Sequence, residues 1–345
     1  TTGQPKGVVH GRFRSDDAAA RHGVFFEWDA TSTTLIVAPV FHLTGSVWVQ
    51  SSLCIGAKQV MSASTSAALI VSAIQRWNVT HTVLVPTMVR MVLDELKASG
   101  TSISTLKTIT YGGAPMPVAL LREAISTLGA KFVQGYGLTE TNSPVTMLRP
   151  EDHALEGPRA KLLNAVGRDY LDIKIRIVDT ETGAVLKAGE VGEVQISTPW
   201  GMLGYRNQPD LTAAAYTSDG WFRTGDGGYL DEERYLFLCD RINDMIISGG
   251  ENVMPSEVEN VLTQHSGITE AAVFAVKDPK WGETICAAVV AKPGAAPVAE
   301  EVIGFTRARL AHYKCPREVV LIDVMPRNAM GKILRRELRA RFSKE

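Results

Sequence analysis

The stretch Lys131-Phe132-Val133-Gln134-Gly135-Tyr136-Gly137-Leu138-Thr139-Glu140 runs from a short strand-like segment into a glycine turn that carries a ring, a hydroxyl and a carboxylate. A glycine loop directly after a strand is where phosphate loops sit in a parallel sheet. Two familiar patterns fail at this position. A dinucleotide fingerprint needs a small residue where Glu140 stands, and a Walker loop needs Gly-Lys followed by Ser or Thr. What remains is a turn able to stack Tyr136 on a base, bond a phosphoryl oxygen through Thr139 and hold Mg²⁺ with Glu140. Taken alone, it also fits an ordinary glycine turn with a chance carboxylate.

Upstream, short β-branched runs at Thr34 to Val37, Thr82 to Val85 and Thr108 to Tyr111 alternate with helical patterns such as Thr87 to Ala98 and Val118 to Leu128. That alternation predicts an α/β fold, a layered unit with a mainly parallel sheet. From about residue 164 to 240 the texture becomes strands with turn punctuation: Ile173 to Val178, Val191 to Ser197, Tyr235 to Cys239. This predicts a β-rich subdomain. Beyond Asp240 a third texture begins, with a helix from Pro255 to Gln264, strands at Ala271 to Val276 and Thr284 to Ala291, a helix from Val298 to Leu310 and a basic tail. The expected division is a large domain over 1–240 and a small α+β domain over 241–345.

The 345 residues carry 36 basic and 37 acidic side chains and 45% hydrophobic residues, the balance of an ordinary enzyme. No basic field of nucleic-acid scale exists. The cysteines, Cys54, Cys239, Cys286 and Cys315, are scattered without a Cys-x-x-Cys pair, so neither a disulfide framework nor a zinc site is suggested. A reducing cytoplasm is expected, with peripheral membrane association left open, because no apolar run is long enough to cross a bilayer.

The chain opens Thr1-Thr2-Gly3-Gln4-Pro5-Lys6-Gly7 before Val8-Val9, two hydroxyls, two glycines and a lysine that can face a triphosphate. With no initiator Met, it reads as the back part of a longer protein. Four further motifs follow: Gly112-Gly113-Ala114-Pro115; Trp221-Phe222-Arg223-Thr224-Gly225-Asp226; Asp240-Arg241-Ile242-Asn243-Asp244-Met245-Ile246 with Ser248-Gly249-Gly250-Glu251-Asn252; and Pro326 to Arg336, which contains Met330-Gly331-Lys332-Ile333. Singly, each has a plain structural explanation. Asp226 could be a turn residue before Gly227-Gly228, Gly249-Gly250 could be a tight turn, and Lys332 among Arg327, Arg335 and Arg336 could belong to a solvated basic face.

Together these motifs resemble the adenylate-forming superfamily of acyl-CoA synthetases, peptide-synthetase adenylation domains and luciferases. The resemblance covers nearly the whole chain. It implies an ATP site in which Thr1, Thr2, Gly3 and Lys6 form the phosphate loop, Gly112, Gly113, Ala114, Gly135, Tyr136 and Gly137 line adenine and phosphates, and Asp226, with Arg241 close by, bonds the ribose. It implies catalysis by Lys332 with Thr139 and Glu140, Glu140 being the Mg²⁺ ligand. A cation is wanted there because joining a carboxylate to ATP brings two anions together. Asn243 takes the hinge position, where relatives usually carry Asp or Lys.

Phe41-His42-Leu43-Thr44-Gly45 matches the place where the family positions the acyl group. Amino-acid-activating relatives usually have Asp directly after this Phe. His42 instead fits an acid without an α-amine, and with Gly137 and Leu138 it is assigned to the acyl pocket. Gly249 and Gly250 suit a pantetheine tunnel, and Trp281 and Tyr313 match places where some relatives hold the adenine of coenzyme A. The reading is an ATP-dependent acyl-CoA ligase acting on a small-molecule carboxylic acid, with a medium or long aliphatic chain preferred. An enzyme loading a carrier-protein phosphopantetheine, or a nucleotide-binding module without turnover, stays open.

Overall fold

Adjacent apolar residues in the central strands face opposite ways, so one sheet carries a core on each side. Leu35, Leu84, Ile109, Tyr111 and Phe132 are buried in one cluster, while their neighbours Ile36, Val83 and Val133 are buried in another. The computed structural model describes residues 6–11, 22–23, 26–62, 64–248, 251–278, 282–327 and 333–342, with backbone alone for Asp240, Asn243 and Asn252.

In chain order the first elements are β1 (Val8–Val9), β2 (Thr33–Ile36), α1 (Leu43–Ile55), β3 (Lys58–Met61), α2 (Ala67–Trp77), β4 (His81–Leu84), α3 (Pro86–Ser99), β5 (Thr108–Gly112), α4 (Val118–Leu128) and β6 (Lys131–Gly137). There follow β7 (Pro144–Leu148), β8 (Arg168–Asp169), β9 (Lys174–Val178), β10 (Gly192–Ser197), β11 (Gly204–Tyr205), α5 (Pro209–Ala214), β12 (Phe222–Leu230) and β13 (Leu236–Arg241). The remainder is β14 (Ile246–Ser248), β15 (Glu251–Val253), α6 (Pro255–Leu262), β16 (Ile268–Asp278), β17 (Gly282–Ala291), α7 (Ala299–Arg307), β18 (Glu318–Leu321) and α8 (Arg335–Phe342).

Two compact units result, one of Thr1–Thr224 with Gly228–Leu238, the other of Gly225–Gly227 with Cys239–Glu345. The first is built on a seven-stranded sheet in the order β3-β2-β4-β5-β6-β7-β8. β2 to β6 are mutually parallel, β7 runs antiparallel to β6, and β8 runs antiparallel to β7. Helices α2, α3 and α4 cover one face with Ile70, Ile74, Val89, Leu93, Leu121 and Ala124, one apolar stripe per helix. The other face packs on Trp48 of α1 and on Ile175, Ile177, Val194 and Ile196 of the β-rich region. The fold is the α/β architecture expected, with a mainly parallel sheet and a β-rich part.

In the second unit β14 to β17 form a sheet in the order β15-β14-β17-β16, with β18 parallel to β17. α6 and α7 bury Val258, Leu262 and Val302 on one face, and α8 buries Leu338 on the other beside Phe274 and Cys286. α6 is shorter than its pattern predicted, because the Gln264 amide turns to the Val261 carbonyl three residues back, which tightens the chain out of the α-helix. Among the described residues no helix is long and apolar enough to cross a membrane.

Candidate active site

Ligands of open α/β sheets gather at the carboxyl ends of the strands, and there β5 and β6 end in glycine. Gly112 pairs with Gly135 across the two strands. A Cβ on Gly112 would lie 2.3 Å from the Gly135 carbonyl oxygen, and one on Gly137 would lie 2.4 Å from that of Ser143. Both positions therefore admit no side chain. Gly113, at φ +75°, turns the chain away from β5 toward Ala114. Tyr136 and Leu138 are half-buried against the core on that side of the sheet. Next comes a single 3-10 turn, Thr139–Thr141, tied by the Leu138 amide donating to Thr141 Oγ1 at 3.0 Å. It leaves Thr139 exposed and Glu140 half-buried.

Two strands of two residues each hold Lys6 near this turn. β1 pairs antiparallel with β11, Val8 opposite Tyr205 and Val9 opposite Gly204, and the Arg206 amide donates to the Gly7 carbonyl at 2.7 Å. The Tyr205 hydroxyl donates to Glu140 Oε1 at 2.8 Å, while Lys6 Nζ lies 4.5 Å from the centre of the same ring. The Met202 amide donates to the Glu140 carbonyl at 2.8 Å. His10 lies beside Thr139 and Glu140; burial lowers its pKa, and the Thr139 backbone and the Glu140 charge oppose that shift. Neither Tyr205 nor His10 was selected from the sequence. Thr1, Thr2 and Gly3 lie outside the described residues.

Among the described residues no three His, Cys, Asp or Glu side chains gather to hold a metal. A lone carboxylate nevertheless fits Mg²⁺, which keeps several waters and is held by one or two carboxylates plus substrate phosphates. Glu140 is such a carboxylate, anchored on one oxygen.

His42, expected at the acyl pocket, has an observed local role. It is the N-cap of α1, with Nδ1 accepting from the Thr44 amide at 3.3 Å, and burial lowers its pKa. Phe41 beside it is 83% exposed. Gly45 admits no Cβ, which would meet the Pro39 carbonyl oxygen at 2.3 Å.

In the second unit Asp226 and Arg241 form an ion pair, Oδ1 to Nε 3.2 Å. Lys332, Gly249, Gly250 and Trp281 lie outside the described residues, and the hinge candidate Asn243 is described by its backbone alone, in a 3-10 turn at Ile242–Asp244. The segment containing Lys332 is bracketed by a bridge between Arg327 and Ile333. The basic run around it is not simply a solvated face. Arg327 pairs with Glu270, Arg335 with Glu259 at 2.7 Å, and Arg339 with Asp244 at 2.7 Å. Tyr313, 43% exposed in the turn His312–Lys314, leaves much of its ring open to a partner.

A glycine-lined edge of a parallel sheet, a carboxylate turn and a lysine near it make this end of the sheet the candidate site of an α/β protein. Residues 1–206 match the AMP-binding enzyme family and residues 257–332 match the AMP-binding enzyme C-terminal domain. The chain belongs to the AMP-binding enzyme family. It is 41% identical over 346 residues to the fatty acid–[acyl-carrier-protein] ligase ScoC of Streptomyces coeruleorubidus, covering 99% of this chain and 66% of that protein. It is 33% identical over 349 residues to the medium/long-chain-fatty-acid–CoA ligase FadD8 of Mycobacterium tuberculosis, covering 99% and 60%. The solved structure of o-succinylbenzoate CoA synthetase (MenE) from Bacillus subtilis, in complex with the acyl-adenylate intermediate OSB-AMP, superposes with a TM-score of 0.87 at 34% identity, covering 98% and 67%. The chain thus spans about two thirds or less of the length of the curated relatives named here.

Proposed function

We propose that this protein activates a carboxylic acid with ATP and passes the acyl group to a pantetheine thiol, the acid being a medium- or long-chain fatty acid and the acceptor coenzyme A. The observation that carries the reading is the glycine edge at Gly112, Gly135 and Gly137 together with the Glu140 turn and Lys6, in a chain of the AMP-binding enzyme family. The acid's carboxylate oxygen attacks the α-phosphorus, and pyrophosphate leaves. The thiolate then attacks the acyl carbon, and AMP leaves. In this scheme the loop over Thr1, Thr2, Gly3 and Lys6 holds the departing phosphates, Gly113, Ala114 and Tyr136 seat the adenine, and Asp226 accepts from the ribose hydroxyls. Mg²⁺, held at Glu140, supplies charge neutralisation on the phosphates.

Lys332, on a small domain over 241–345 that turns about Asn243, presents its ammonium to the acid and the α-phosphate. Gly249 and Gly250 line the thiol's path, with Trp281 and Tyr313 stacking on its nucleotide end. His42, Gly137 and Leu138 border the acyl chain; burial lowers the pKa of His42 and so favours its neutral form there.

A second reading has one observation in its favour: ScoC, at 41% identity, is named for an acyl-carrier protein as acceptor. A pyrophosphate-release screen of acids of graded chain length on the full-length protein, with the thioester trapped by coenzyme A or by a holo-carrier protein, separates the two. Acid-dependent pyrophosphate with a C8 to C16 optimum is the expected result. Absence of acid-dependent pyrophosphate refutes the reading.

A further inference from the structure

We propose that Tyr205 is a positioning residue for the metal-phosphate end of the site, one side chain that sets the carboxylate by its hydroxyl and the ammonium by its ring. The proposal rests on the functional reading above. Tyr205 is only 8% exposed and packs with Met202 and Phe222, partly covered by Val8, Ala215 and Tyr216. Its backbone is fixed on both sides. The Tyr205 amide donates to Thr212 Oγ1 at 2.8 Å, and Gly204, at φ +150°, packs where a Cβ would lie 2.8 Å from Thr212 Cγ2. The ring cannot swing away without dismantling this corner.

From that fixed ring two opposite charges are placed. The hydroxyl donates to Glu140 Oε1 at 2.8 Å, and the π face carries Lys6 Nζ at 4.5 Å from its centre. A direct Lys6–Glu140 ion pair would spend each charge on the other. The intervening phenol leaves the carboxylate to a cation and the ammonium to a phosphate anion. Because Oε1 already accepts the phenol, Oε2 is the oxygen turned over to a divalent cation, which makes Glu140 a one-oxygen ligand. Groups that orient a ligating carboxylate in this way typically govern metal affinity by about 10- to 100-fold. β1 and β11 complete the device, since the same pairing that aligns Tyr205 with Val8 also fixes Gly7, next to Lys6.

The test is a titration of Mn²⁺ into full-length protein held in molar excess over ATP and without acid substrate, read by water-proton relaxation enhancement, which separates protein-bound Mn²⁺ from free Mn–ATP. Tyr205→Phe keeps the ring and removes the hydroxyl. We expect it to weaken Mn²⁺ binding about tenfold and to change metal-free ATP affinity less than about twofold, because the Lys6 contact persists. Tyr205→Leu removes both contacts and is expected to weaken metal-free ATP binding as well. Circular dichroism melts establish that each variant is folded. Should Tyr205→Phe fail to fold, protein carrying Tyr136→Phe and Tyr216→Phe and labelled with 3-fluorotyrosine tests the same contact: bound Mn²⁺ broadens at least one remaining ¹⁹F line, and survival of every line overturns the proposal. Mn²⁺ affinity in Tyr205→Phe equal to wild type also overturns it. Failure of the wild type to bind Mn²⁺ with ATP overturns the functional reading instead, so the two failures are distinguishable.

Discussion

Gly112→Ala puts the glycine edge under load. The new Cβ would stand 2.3 Å from the Gly135 carbonyl oxygen on the neighbouring parallel strand. Ordinary contact of a Cβ begins at 3.4 Å, so the ends of β5 and β6 must part by about 1 Å, and the atom in the way is backbone. Overpacking of this kind costs about 1–3 kcal/mol of stability. The functional cost is larger. The two strand ends carry Gly113-Ala114 on one side and Tyr136 to Glu140 on the other, and a displacement of about 1 Å in positioning groups costs about 100-fold in rate. The assay is acid-dependent pyrophosphate release at saturating ATP, beside a thermal melt. Gly100→Ala supplies the comparison: at φ +64° at the end of α3, with nothing within 4 Å of its Cβ, it pays backbone strain of about 1 kcal/mol and leaves the rate unchanged. A Gly112→Ala protein that loses stability yet turns over within about threefold of wild type refutes the reasoning.

Two further expectations concern charge. His22, 2% exposed and bonded to Ser51 Oγ at 2.9 Å, is held by burial at a pKa of about 4, and His81 is lowered to about 4 by burial first and by Lys107 second. Unfolded, each binds its proton near pH 6.5, so their stabilisation is full above that value and is lost as pH falls toward 4, by about 3 kcal/mol for His22. Melting temperature should therefore drop between pH 7 and pH 4.5, and His22→Gln should shrink the drop; a flat profile in the wild type contradicts this. Asp226→Ala removes the partner of Arg241 and the ribose acceptor, and is expected to raise the KM for ATP about 10- to 100-fold with kcat within a few-fold; an unchanged KM argues against ribose contact.

Much of the fold was legible because its signals are local. Apolar spacing alone marks Val118 to Leu128 as a helix over the very residues observed, and Thr108 to Tyr111 as a strand one residue short. α1 was passed over, since Leu-Thr-Gly-Ser-Val-Trp-Val-Gln-Ser-Ser-Leu-Cys-Ile offers no polar stripe and rests on its His42 cap. The motifs marked Lys6, Glu140, Asp226 and Arg241. They give no sign of Tyr205, which reaches Glu140, 65 positions away in sequence, from a strand of two residues, too short to show a period. His10 escaped for the same reason. The basic run around Lys332 reads as a solvated face in sequence because Glu270 and Glu259, which hold Arg327 and Arg335, are distant in the chain.

The most direct measurement is acid-dependent ATP–pyrophosphate exchange by the full-length protein with Lys332 intact and with Lys332→Ala. Loss of a cation that acts in the transition state predicts exchange about 10²- to 10³-fold slower, with thioester formation from preformed acyl-adenylate retained. Near-normal exchange in Lys332→Ala contradicts the account.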